Sequence, residues 1–334
     1  MAATRRAIRH RFEVPITAPE YRTPRRRKDD KHAATSSTDI EATGTTPPTD
    51  VKAVVDETLA AEREVTSTEP SVGTRLSAKE IHENVRTTAE EELLRPAAAL
   101  SFSSLAAGLE MTFSFMAAAY ATSLVPPRFE EVAAASAYPI GFIFVVLARN
   151  QLFTENTLEP VIPLLARRDR KTLWRVVRLW TIVLLGNLVG TCLVALVLAH
   201  TDMVNAGLHD ALLRFATKTV PGGFWFTFYR AIFAGWLIAL LAWLVSSTRA
   251  TGAQIVLIWL TTAPISAFGF RHSIAGSSEA FFLAASGGVT WWQAIGSFII
   301  PAVLGNIVGG VLLVAILNHG QVAADMAADR SGGL

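Results

Sequence analysis

Polar residues dominate positions 1–76, and beyond them the chain turns apolar in long blocks. Six blocks, 98–124, 134–164, 175–200, 223–247, 254–286 and 291–317, are long enough to cross a bilayer, whose hydrocarbon takes roughly 20 helical residues. The pattern predicts an all-α membrane protein with six transmembrane helices. The second and fifth blocks exceed a simple span, and each is interrupted, by RNQLFTENTLEP at 149–160 and by RHSIAGSSE within 271–279. Polar groups at that depth predict that helices 2 and 5 are broken. Ahead of the blocks, Ser77 and Glu80 have the spacing of a capping box, and Ile81, Val85 and Ala89 recur at helical period before Pro96. Residues 77–96 are therefore expected to form an amphipathic helix on the membrane surface, 97–318 the six-span domain, and 319–334 a C-terminal tail. Residues 1–76, rich in Arg, Thr, Glu, Pro and Ser and lacking an apolar period, are expected to be disordered.

Composition adds weight to this division. With 51% apolar residues overall and so polar a first quarter, the remainder is richer in apolar residues than a water-soluble domain. The start has basic residues but no apolar run of the kind a secretory signal needs. Cys192 is the single cysteine, so disulfides and cysteine-based metal sites are not expected. The net charge of +2 says little, but its distribution gives an orientation. The link after the second block, ARRDRKTLWR, holds five Arg or Lys residues, the basic run Arg25 to Lys28 precedes the first block, and Arg249 follows the fourth. With six spans these share one side, which puts both termini in the cytoplasm of a multi-pass cell-membrane protein.

An internal repeat orders the six blocks into halves. LLGNLVGTCLVALVLAH at 184–200 returns as VLGNIVGGVLLVAILNH at 303–319, about 119 residues later, and the same offset carries Thr154 onto Ser273, beside His272. Halves of three spans must lie in opposite senses, and inverted repeats with paired broken helices mark a pathway near the bilayer midplane. Asn187 and Asn306, at matching places, are positioned to hydrogen-bond the unwound backbone, with neighbouring glycines allowing close helix contact.

These residues resemble the formate/nitrite transporter family. LFTENT is similar to that family's break in helix 2, GFRHSIA at 269–275 to its Gly-Phe-Glu-His-Ser-(Ile/Val)-Ala break in helix 5, and LGN(L/I)VG to its helix 3 and 6 motifs. The resemblance covers about Ala97 to Asn318. It implies an aquaporin-like protomer with a 3+3 inverted repeat, assembled in the bilayer as a homo-oligomer, a pentamer, with a pore in each protomer. It also implies passage of small monovalent anions such as formate, nitrite or hydrosulfide, with or without a proton. His272 becomes the central pore histidine and Thr154 the hydroxyl facing it, with Asn306 nearby. Lys218 becomes the lysine before helix 4. Leu152, Phe153, Phe142 and Tyr138 become the apolar constrictions, and Ile265 stands where a phenylalanine is common.

The chemistry of such a slit follows from elementary physics. A small anion entering it loses hydration, and taking up a proton removes most of that cost. Histidine exchanges protons near neutral pH, so flux is expected to rise as pH falls from about 7 to 5 through His272. Lys218, in an outer loop, would raise the local anion concentration. The chain departs from the family pattern at Arg149, at Arg271 in place of Glu, and at Gly276 in place of Asn; Glu110 lies inside the first span. Glu110 and Arg149 both come near mid-depth and are expected to form a buried ion pair. Two other readings stay open. One is a neutral-solute pore of aquaporin type, against which stand the missing paired Asn-Pro-Ala boxes; the other is a non-transporting scaffold or regulator. No HExxH, GxSxG or paired catalytic aspartates occur in the spans, so no enzyme activity, metal site, cofactor or nucleic-acid partner is expected.

Overall fold

A computed structural model of the chain describes residues 76–318, 320–322 and 324. The expected disordered tail therefore lies, apart from Leu76, outside the described residues, and so does most of 319–334. Ten helices form among the described residues: α1 Ala78–Leu94, α2 Ala97–Ser123, α3 Pro127–Leu147, α4 Val161–Arg167, α5 Arg170–His200, α6 Ala206–Thr219, α7 Gly223–Val245, α8 Thr251–Ala267, α9 Ser273–Ala285 and α10 Trp291–Val322. Five of them, α2, α3, α5, α7 and α10, are long and apolar enough to cross a membrane, and α8 is a shorter apolar helix. Helix α10 continues to Val322, past the boundary expected at 318.

Helix α1 starts at the expected box: the Glu80 amide donates to Ser77 Oγ at 3.3 Å, and the Ser77 amide donates to Glu80 Oε2 at 2.7 Å. These Ser77 contacts, the backbone N–H first, hold the Glu80 carboxyl below the usual carboxylate range. The apolar stripe of α1, Val85, Ala89 and Leu93, is buried. It packs against α4, α5 and α7, with Val85 in one cluster with Leu158, Ile162 and Trp243. The face expected on the membrane surface is thus spent on protein. Polar contacts complete the seal: Arg167 pairs with Glu90 at 2.9 Å, and Asn84 Nδ2 donates to the Ser246 carbonyl at 3.3 Å.

Two helix pairs carry the core, α2 with α5 and α7 with α10, and they meet in the same manner. A methyl group on Gly108 of α2 would collide with the Asn187 carbonyl of α5; one on Gly235 of α7 would collide with the Asn306 carbonyl of α10. Gly190 lies against Leu105 and Leu109, and Gly309 against Ile232 and Trp236. Small residues allow this backbone approach, where dispersion and close contact replace the hydrophobic drive that lipid abolishes. Helix α10 contains two π-helical stretches, Ala294–Ile299 and Val311–Ile316, the first just ahead of Pro301. Helix α6 lies in what reads from sequence as a loop; Asn205 caps it, and Ala211, Leu212 and Ala216 face the core.

Candidate functional site

Both expected breaks are present and are built alike. Helix α3 ends where Ala148 donates to Phe144 O (2.9 Å), Arg149 to Val146 O (3.1 Å) and Asn150 to Val145 O (3.0 Å); α8 ends where Phe268 donates to Pro264 O (2.9 Å), Gly269 to Ser266 O (3.1 Å) and Phe270 to Ile265 O (2.9 Å). The middle residue of each stop is left-handed, with φ 55° at Arg149 and 64° at Gly269. This hydrogen-bond set terminates a helix in the Schellman manner. Beyond each stop an asparagine satisfies the unwound backbone. Asn187 Oδ1 accepts from the Phe153 amide (2.8 Å), and its Nδ2 donates to the Ser104 and Gln151 carbonyls (both 2.8 Å). Asn306 Oδ1 accepts from the Ser273 amide (2.8 Å), and its Nδ2 donates to the Ala231 (2.7 Å) and Arg271 (3.0 Å) carbonyls. Each amide thus uses its acceptor and one donor on unwound main chain that neither helix nor lipid could satisfy, and its second donor on a carbonyl inside a neighbouring helix, Ser104 of α2 or Ala231 of α7.

His272 and Thr154, one from each break, meet at 2.8 Å between Nε2 and Oγ1. His272 also caps α9, its Nδ1 accepting from the Ile274 (3.2 Å) and Ala275 (3.0 Å) amides. An Nδ1 that accepts twice carries no proton, so the proton of the neutral ring sits on Nε2 and points at Thr154. The ring is 1% exposed and packs edge-on against Phe142, centroids 4.9 Å apart. Tyr138, Phe142, Leu152, Phe153 and Ile265 fall in one buried cluster.

Of two neighbouring cavities, the small one reaches the histidine. This one, of about 40 Å³, is lined by Tyr138, Ile265, Arg271, His272, Glu279 and Phe298, among others; a larger one of about 380 Å³ is lined by Glu130, Glu131, Arg214, Lys218, Arg230 and Arg271 with apolar neighbours. Phe215, Thr219, Ser266, Gly269 and Arg271 border both, which makes them consecutive. Of the sequence-derived positions, Tyr138, Ile265 and His272 share the small cavity, and Lys218 lies at the outer one, 3.8 Å from Glu130. Phe142, Leu152, Phe153, Thr154 and Asn306 border neither.

The expected Glu110–Arg149 ion pair does not form among the described residues. Arg149 is the left-handed terminator of α3 and its side chain is exposed, while the next residue, Asn150, donates from Nδ2 to both Glu110 oxygens at 2.9 and 3.0 Å. Gly276 has its own cause: a methyl group there would press on the Phe298 ring at 2.5 Å. Arg214, Arg230, Thr219 and Glu279 line these cavities and were passed over by sequence reasoning. For Arg230 and Glu279 a signal existed, an ionisable residue inside an apolar block.

Comparison with known proteins fits this geometry. Residues 79–320 match the sequence model of the formate/nitrite transporter family, and the chain belongs to that family of membrane channels and transporters. The inner membrane protein YfdC of Escherichia coli (strain K12) is 36% identical over 256 residues, 76% of this chain and 81% of that protein. A probable formate transporter of Methanothermobacter thermautotrophicus is 33% identical over 199 residues, 54% of this chain and 71% of that one. A solved pentameric formate channel with formate bound shares the fold, with a TM-score of 0.56 at 23% identity, covering 70% of this chain and 96% of that chain.

Proposed function

We propose that the protein conducts small monovalent weak-acid anions of the formate and nitrite type across the membrane, linked to protons through His272. The observation that carries this reading is the 2.8 Å contact of His272 Nε2 with Thr154 Oγ1 between two helix breaks, at the inner end of two consecutive cavities. Four cations, Arg214, Lys218, Arg230 and Arg271, line the outer cavity. They draw anions toward the slit and favour an anion pore over a neutral-solute one. Inside, Nε2–H is a donor that an anion can use in place of Thr154. A second proton can enter the ring only at Nδ1, and that requires release of the Ile274 and Ala275 amides. Those two N–H groups then face the pore as anion donors at the start of α9. Protonation of the ring and exposure of an anion site are one event in this scheme.

The same proposal takes 97–318 as six spans, with α8 and α9 as the two halves of the fifth and the halves of the domain inverted. The matched contacts of α2 with α5 and of α7 with α10 support it. Loop charge puts both termini in the cytoplasm, and the pentameric relative supports five protomers with a pore in each.

The deciding measurement is uptake of labelled formate by proteoliposomes at pH 7 to 5. Wild-type flux is expected to rise across that range, and His272→Gln to flatten the profile. His209→Gln, in α6, is the control. A His272→Gln protein that keeps both rate and profile overturns the proton linkage, and absence of flux in the wild type with formate, nitrite and hydrosulfide overturns the transport reading.

A further inference from the structure

Arg271 stands immediately before the pore histidine, where the resembled motif has an acid, and the scheme above gives its side chain no chemical partner. It is 8% exposed. Its main chain is fixed, the carbonyl by Asn306 Nδ2 at 3.0 Å and the amide by the Arg230 carbonyl at 3.4 Å. The guanidinium lies 5.7 Å from the Phe226 ring centroid and 6.0 Å from that of Phe298. These rings supply cation–π attraction but accept none of its five N–H donors in a bond of ordinary geometry. No described residue accepts a hydrogen bond from this side chain, and Nε is buried without a partner. Glu279, on the wall of the same small cavity, acts on it through space but forms no contact ion pair with it among the described residues, and Glu279 Oε2 instead accepts from Thr219 Oγ1.

A buried guanidinium with its donor set unused is costly, and buried charges in native proteins find partners. Here the space for a partner exists, because Arg271 borders both the outer cavity and the small one leading to His272. We infer that Arg271 forms an anion-binding subsite between the outer cavity and the histidine, taking a planar oxyanion with two equivalent oxygens, a small carboxylate or nitrite, on its guanidinium fork. The fork matches such an ion in two parallel charge-assisted bonds, which a halide or hydrosulfide cannot make. Glu279 on the facing wall keeps the binding weak enough for the ion to leave, as conduction requires. The subsite rests on the anion-pore reading but is separable from it, since binding at Arg271 does not require passage past His272.

Equilibrium binding tests it on the full-length protein in nanodiscs at constant ionic strength, with formate and chloride as probes and proteoliposome flux measured in parallel. The wild type is expected to prefer formate to chloride. Arg271→Gln is expected to weaken formate binding by at least about tenfold, the loss of charge-assisted hydrogen bonds. Arg271→Lys, which keeps the charge but lacks the fork, is expected to bind formate and chloride alike; it is the readout if the Gln variant elutes misassembled. Formate affinity unchanged in either variant, or a wild type that binds chloride as well as formate, overturns the subsite while leaving any observed flux to stand. Arg271-dependent binding without flux upholds the subsite and overturns the transport reading.

Discussion

Arg149 and Gly269 do the same work at the ends of α3 and α8, yet only one of them suits it. A left-handed residue with a Cβ is strained by ~1 kcal/mol or more, while glycine adopts that conformation freely at some cost in unfolded-state entropy. Arg149→Gly is therefore expected to raise the stability of the solubilised protein by up to ~1 kcal/mol, read as a higher melting temperature. Were Arg149 the ionic partner of Glu110, the same change would lower it. Gly269→Ala should lose ~1 kcal/mol or more, since its φ is 64° and a Cβ would sit 2.6 Å from Arg230 Nη1. The asparagines carry more. Asn306→Ala leaves the Ser273 amide and the Arg271 carbonyl unpaired, each at about 1–3 kcal/mol, while the Ala231 carbonyl keeps its place in the α7 ladder. Asn306→Asp sets a buried carboxylate oxygen against the Ala231 and Arg271 carbonyls, so its melting temperature should fall at least as far as that of alanine. Asn187 and Asn306 were legible as backbone partners because they recur with the repeat; Asn150, which takes Glu110, has no such marker.

Among elements, the crossings of α2 with α5 and of α7 with α10 set how the breaks face each other. Gly108→Ala and Gly235→Ala should each destabilise by about 1–3 kcal/mol, the range for overpacking, and by similar amounts because both methyl groups press on an asparagine carbonyl of the partner helix. Thermal unfolding of the two variants side by side checks the equivalence. Helix α1 makes a different case. Val85 is 0% exposed, so Val85→Ala should cost about 1.5 kcal/mol, from two buried methyl groups at ~0.8 each; a helix lying on lipid alone would leave the fold's melting temperature unchanged. The start of α1 was readable because a capping box is local, whereas its destination was not: an apolar stripe looks the same against lipid and against protein. Helix α6 was missed for a related reason, since its charges made it read as a loop while its buried face, Ala211, Leu212 and Ala216, is narrow.

At the scale of the whole molecule, large apolar side chains remain exposed on the protomer, among them Phe102, Trp174, Trp225 and Trp292, as a surface that meets lipid or other protomers must have. Native mass measurement of the purified protein is expected to give five copies, and a labelled cysteine at position 170 to react from the cytoplasmic side; a monomer or an outward label would refute the proposed assembly or topology. By itself the sequence determined the helical membrane class, the two breaks, the repeat and the pairing of Thr154 with His272. The class and the breaks rest on hydropathy along one strand of chain and on motifs that close within a few residues, whereas the pairing of Thr154 with His272, 118 residues apart, is what the internal repeat and the family resemblance imply. Only the tertiary structure decided that α1 packs on protein, that Asn150 and not Arg149 holds Glu110, and that Arg271, Glu279 and Thr219 border one cavity beside the histidine. Those outcomes depend on which faces of separate helices meet, and on which side chains fill the space between them, and spacing along the chain does not encode either.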